Sequence, residues 1–116
     1  MATVSSHILD SVTGKSAVGI RCQLYQLAGE SGRQLVFDVN ADQEGRIAES
    51  IAINDTNRDS EFELVFHAND YFSGQSIACD SMVKSVVIRL VMDDDQKRYH
   101  LPVMLSQHSY STWWSS

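Results

Sequence analysis

Apolar residues recur at every second position along several stretches of this chain, and that period leaves little room for a helical fold. In GIRCQLYQL, Ile20, Cys22 and Leu24 fall on one side, and Arg21, Gln23 and Tyr25 on the other. In EFELVF, Phe62, Leu64 and Phe66 alternate with Glu61, Glu63 and Val65. VVIRLVM and YHLPVML continue in the same style. Side chains of an extended strand point alternately to its two faces, so this spacing marks half-buried strands.

Between the strands lie VTGKSAVG, AGESGR, NADQEGR, NDTNRDS and MDDDQK, rich in the Gly, Asn, Asp and Ser that tight turns use. One stretch breaks the period. HANDYFSGQ offers Asn69 as a cap, Tyr71 and Phe72 as an apolar face and Gly74 as a stop, which predicts one short helix. Several short strands and a single helix in 116 residues predict an all-β, two-sheet sandwich forming a single domain over 1–116.

Charge narrows the partners. Nine Lys+Arg against 15 Asp+Glu give a net −6, which repels a phosphate backbone and argues against nucleic acid. No stretch is apolar enough to span a membrane, and MATVSSHILD lacks the basic start and long apolar run of a secretory signal, so the expected location is cytoplasmic. Cys22 and Cys79 have no metal-site spacing. Cys22 sits in an apolar alternation and reads as a buried thiol, whereas Cys79 falls in a loop where its reactivity is undecided.

Of the four histidines, His100 is the most informative. In YHLPVML, Leu101, Val103 and Leu105 take one face, and His100, Pro102 and Met104 share the other. Pro102 lacks an amide donor, so a complete ladder is not expected there. A face of His, Pro and Met suits an interface or cavity lining, but spacing alone favours a partly exposed histidine on a sheet. His7, in SHILD, reads as the start of a strand, and Arg46, after QEG, reads as a solvated turn charge. No phosphate loop, nucleophile elbow or H-E-x-x-H occurs, and periodicity by itself names no reaction.

Ordered motifs go further. SHILDSVTGKSAVGIRCQLYQL, DQEGRI, FELVFHANDYF and RYHLPVMLSQHSYSTWWSS follow one another in an order that resembles the transthyretin-like family over nearly the whole chain. The last resembles that family's C-terminal signature, Tyr-His-x-Pro-x-x-Leu-Ser-x-x-x-Tyr-Ser-Thr. The resemblance implies a sandwich of eight strands with one short helix. It also implies a homotetramer, a dimer of dimers, with a channel between the pairs lined by the His100 face. Within the family, a histidine, an arginine and a second histidine at the positions of His7, Arg46 and His100 distinguish 5-hydroxyisourate hydrolases from the vertebrate hormone carrier.

The resemblance therefore implies a hydrolase of purine breakdown. His7, Arg46 and His100 would be catalytic, Ser116 and Trp113 would contact the small-molecule substrate, and neither a cofactor nor a metal would be required. Two histidines brought together would bind zinc only adventitiously. The chain departs from the family at its end, where Trp113, Trp114 and Ser115 replace Tyr-Arg-Gly. Trp113 keeps an aromatic wall without the phenol, and loss of the arginine removes a fork of donors. A binding protein that has lost activity is the alternative that this departure suggests. Successive strand residues face opposite ways, so Trp113 is expected beside the site and Trp114 packed against protein on the other side.

Overall fold

The computed structural model describes residues 1–75 and 81–115, with Ser31 described by its backbone alone. Cys79 and Ser116 therefore lie outside the described residues. Ten strand segments occur among the described residues: β1 (Ala2–Asp10), β2 (Lys15–Ser16), β3 (Arg21–Leu27), β4 (Arg33–Asn40), β5 (Arg46–Ile51), β6 (Glu61–Phe66), β7 (Val86–Val91), β8 (Arg98–His100), β9 (Val103–Leu105) and β10 (Tyr110–Thr112). Counting β8 and β9 as one interrupted strand, and setting aside the two-residue β2, leaves the eight strands expected.

The strands form two sheets. One has the order β4-β3-β6-β7 and is antiparallel throughout. The other is built around β1, which pairs antiparallel with β5 and β2 and parallel with β8 and β9; β10 adds outside β9. The alternation predicted for β3 and β6 is what fills the interior. Cys22, Leu24, Phe62, Leu64 and Phe66 are all buried, facing Val4, Ile8, Ile47, Val103 and Leu105 from the β1 sheet within one cluster. Each fully buried large side chain of this kind contributes roughly 1.5–3 kcal/mol. The Cys22 thiol is free, and burial pushes its pKa up to about 12.

Three local expectations need correction. The first concerns β1, which starts at Ala2, so His7 lies in mid-strand rather than at a strand's start. The preceding residues hide the period because polar side chains occupy inward positions. Ser6 is buried and donates its hydroxyl to the Leu101 carbonyl at 2.7 Å.

Second, the helix α1 (Ala68–Ser73) has His67, not Asn69, at its N-cap, with no side-chain cap. The backbone N–H of Asn69 is instead donated to the Lys84 carbonyl at 3.1 Å. Gly74 ends the helix with a right-handed φ of −74°. A six-residue helix has little stability of its own. It is held by buried Phe72 and by the Tyr71 hydroxyl, which donates to Asp10 at 2.9 Å.

Third, the strand carrying His100 breaks between β8 and β9 at Leu101 and Pro102, as a missing amide donor demands. Leu101, Val103 and Leu105 are buried as expected, but so is Pro102, while Met104 is 38% exposed. The break interrupts strict alternation, so the outward face keeps His100 and Met104 without an exposed proline. The backbone at the break is satisfied: Leu101 N–H is donated to the Ser5 carbonyl at 2.9 Å, and the Thr112 hydroxyl to the Pro102 carbonyl at 2.8 Å.

Candidate active site

The outward face of β1 carries Ser5, His7 and Leu9, and the ladders on both sides deliver the other candidates to it. His7 is directly opposite Arg46, the first residue of β5. Ser5 is directly opposite His100, the last residue of β8. Two residues of strand and one inter-strand step separate the His7 and His100 backbones, roughly 8 Å. The pairing thus brings together the three residues that sequence similarity assigned to catalysis.

Arg46 is aimed by the turn before it. The Asp42 carboxylate accepts the backbone N–H of Glu44 at 2.9 Å and of Arg46 at 3.0 Å, and these donors hold its pKa below the usual carboxylate value. Gly45 adopts a left-handed φ of 72°. A Cβ there would lie 2.7 Å from the Ile8 carbonyl oxygen and 2.9 Å from Ser16 Cβ, so the turn and β1 can approach only through a glycine. The Ile8 N–H is donated to the Gly45 carbonyl at 2.8 Å, which locks the register that sets Arg46 against His7. Arg46 is therefore a strand residue opposite a histidine, and its side chain remains exposed, with the Glu44 carboxylate 3.9 Å from Nε.

His100 is half-buried, and its Nδ1 lies 2.8 Å from the Ser5 hydroxyl. The same hydroxyl accepts a hydrogen bond from Arg98 Nε at 3.1 Å. Burial lowers the pKa of His100, and the positive fields of Arg98, Arg46 and His7 lower it further, so the neutral imidazole is favoured near neutral pH. Ser5 and Arg98 were not among the residues picked out from sequence. The available signal was spacing: each lies two positions before a candidate histidine and so shares its face.

Trp113 follows β10 directly and is 47% exposed. Trp114 is 64% exposed on the single chain, so the packing against protein expected for it is not supplied by the described residues of its own chain. Strand β10 ends at Thr112, so the tryptophans extend beyond the last paired residue.

The site is an open sheet face. Clefts of about 450 Å3, beside α1, and about 310 Å3, near Met1 and Glu49, lie elsewhere on the chain. Among the described residues, no group of three or more His, Cys, Asp and Glu is placed to hold a metal ion, and no helix is long and apolar enough to cross a membrane. Chemically, the face combines imidazoles able to exchange protons near neutral pH with a guanidinium able to hold an anion or developing negative charge.

Several known proteins are similar to this chain over nearly its full length. A 5-hydroxyisourate hydrolase of Mesorhizobium japonicum is 36% identical over 112 residues, covering 95% of this chain and 89% of its own length. The 5-hydroxyisourate hydrolase 2 of Rhizobium meliloti is 32% identical over 112 residues, covering 95% of this chain and 92% of its own. The solved structure of Klebsiella pneumoniae 5-hydroxyisourate hydrolase superposes with a TM-score of 0.79 at 24% identity, over all of both chains. That of (S)-allantoin synthase also gives 0.79, at 22% identity; it matches 99% of this chain, which spans 44% of that longer one. The model of the HIUase/Transthyretin family matches residues 4–114, and with that match over nearly its full length this chain belongs to the HIUase/Transthyretin family.

Proposed function

We propose that this chain hydrolyses 5-hydroxyisourate, opening its six-membered ring to give 2-oxo-4-hydroxy-4-carboxy-5-ureidoimidazoline. The observation that carries the reading is the strand register, which sets His7 against Arg46 and Ser5 against His100 on one open face. Relatives more than 30% identical that bear the name of this hydrolase support it.

In this scheme His7 and His100 position and deprotonate a water molecule. The water oxygen bonds to the ring carbonyl carbon and one of its protons passes to imidazole. The ring C–N bond then breaks, the departing nitrogen takes up a proton, and the former carbonyl becomes a carboxylate. Arg46 binds the anionic substrate and stabilises charge on the carbonyl oxygen, a contribution that preorganised donors make in the transition state. Trp113 supplies an aromatic wall. Ser116, outside the described residues, would hydrogen-bond the purine or orient a histidine. No cofactor enters the scheme.

The same reading includes a homotetramer, a dimer of dimers whose channel is lined by this face. An open sheet surface sequesters a substrate poorly until another subunit covers it, and the exposed Met104, Trp113 and Trp114 supply apolar surface for such a cover. A cytoplasmic location suits the free thiol of Cys22.

The test is spectrophotometric. Freshly generated 5-hydroxyisourate decays on its own, and purified protein should accelerate that decay in proportion to its concentration. Decay at the uncatalysed rate in the presence of folded, assembled protein would overturn the proposal.

A further inference from the structure

We propose that Ser5 is a positioning residue that holds His100 in the tautomer with its proton on Nε2, so that His100 faces the substrate as a hydrogen-bond donor. This deepens the hydrolase reading and rests on it: the work of taking a proton from water then falls to His7.

Donors and acceptors around the Ser5 hydroxyl decide the tautomer. Arginine Nε–H can only donate, so at 3.1 Å Arg98 takes one lone pair of the Ser5 hydroxyl. That hydroxyl has a single hydrogen. Its other neighbour among the described residues is His100 Nδ1, at 2.8 Å. Ser5 is only 1% exposed, so water does not readily supply an alternative acceptor. The hydrogen is therefore directed to Nδ1, which must carry a lone pair. A neutral imidazole that accepts at Nδ1 has its proton on Nε2. In the opposite tautomer Nδ1–H would donate to Ser5, and the serine hydrogen would be left buried without a partner.

The charge state agrees. Burial and the neighbouring cations disfavour an imidazolium at His100, in which both ring nitrogens would donate. A neutral ring with Nε2–H has its free donor on the edge away from Ser5. It joins the Arg46 guanidinium as a second donor for an oxygen that becomes negative. Ser5 acts only through His100, and Arg98 acts through Ser5 by fixing which way its hydroxyl turns.

The experiment is nitrogen-15 NMR of the histidine rings in the full assembled chain, with His100 assigned by loss of its signals in His100→Gln. The expected spectrum of neutral His100 shows a protonated Nε2 and an unprotonated Nδ1. A protonated Nδ1 in the wild-type protein overturns the proposal with no variant needed. In Ser5→Ala the ring should relax to a mixture of tautomers and kcat should fall roughly tenfold, the scale of one lost neutral hydrogen bond, with KM little changed. Ser5→Thr, which keeps the hydroxyl, should restore both spectrum and rate. A rate loss in Ser5→Ala without a tautomer change, or one that threonine does not rescue, would make Ser5 merely structural and also overturn the proposal. The spectrum is read without substrate. A protein inactive toward 5-hydroxyisourate but showing the Ser5-dependent tautomer would thus defeat the functional reading alone.

Discussion

His7 and Arg46 face each other across the β1–β5 ladder, the imidazole on the central strand and the guanidinium on the first residue of its neighbour. The pair shares an exposed face on which a flat, anionic heterocycle could lie against both. On the proposed reading, a planar fork of donors matters there more than charge alone. Arg46→Lys should therefore keep the fold and lower kcat/KM roughly tenfold or more, with the loss mainly in kcat if the fork serves the transition state. Steady-state kinetics on the folded variant checks this, and wild-type values would return Arg46 to the role of a solvated charge.

Gly45 is the residue on which that juxtaposition depends. Gly45→Ala meets both a left-handed φ of 72° and a backbone oxygen 2.7 Å from the new methyl group. The expected cost is about 1–3 kcal/mol of stability. Because the turn and β1 must separate to accommodate the methyl, activity should fall further than stability accounts for. Thermal melting and kinetics on the same sample separate the two losses.

His100 should titrate below the ordinary histidine value of 6.5, first because it is buried and then because Arg98, Arg46 and His7 surround it with positive charge. The sign for stability follows. The unfolded chain binds this proton more tightly than the folded one, so folding free energy from His100 is complete above 6.5 and is lost as the pH falls below it. Arg98→Gln should raise the midpoint, but only part of the way, since burial remains. NMR titration gives the midpoints directly; no rise in Arg98→Gln would mean that the Arg98 charge does not reach the ring.

Cys22 should be silent toward thiol reagents in the folded protein. Burial raises its pKa from 9.0 to about 12, so the reactive thiolate is scarce at ordinary pH. In a Cys79→Ser background, a disulfide reagent at pH near 8 should label the chain only on unfolding. Stability from this thiol is complete below 9.0 and is lost as the pH climbs toward 12. Cys22→Ala should remove its part of that alkaline slope, leaving the overlapping part from Tyr71, whose hydroxyl is likewise raised to about 12.

The terminal tryptophans should act on different observables. Trp113→Tyr should chiefly change KM. Trp114, 64% exposed on a single chain, has little to contribute to the fold of that chain. Trp114→Ala should then leave far-ultraviolet circular dichroism intact and weaken assembly. Sedimentation over a range of concentrations would show it, and unchanged association would leave Trp114 as plain surface.

The interior was the most legible part of the sequence. Ile20, Cys22 and Leu24, or Phe62, Leu64 and Phe66, announce a buried face because the positions between them are polar or charged apart from Val65. β1 was obscured since Ser6 and Asp10 are polar yet buried, Ser6 satisfied by the Leu101 carbonyl and Asp10 by the Tyr71 hydroxyl together with the N–H groups of Val12 and Thr13. Periodicity could assign Arg46 only to a turn, because its role depends on which strand lies alongside. Likewise, nothing local distinguishes Ser5 from other serines. Its meaning is a contact with His100, and contacts across a parallel ladder leave no mark in local composition. The family motifs supplied His7, Arg46 and His100 as a set where periodicity could not.

The parallel pairing of β1 with β8 and β9 has a further consequence, for the order of events at the ribosome. The strand bearing Ser5 and His7 is made well before the one bearing Arg98 and His100. At 5–20 residues per second, Ser5 precedes its histidine by about 5–20 s. Throughout that interval the central strand of the larger sheet has one edge open, its N–H and C=O groups unpaired. A nascent chain of this kind can hold most of a sandwich and only the His7–Arg46 half of the candidate site. Competence arrives only when the C-terminal strands close that edge, so truncated products should be inert and prone to pair with one another.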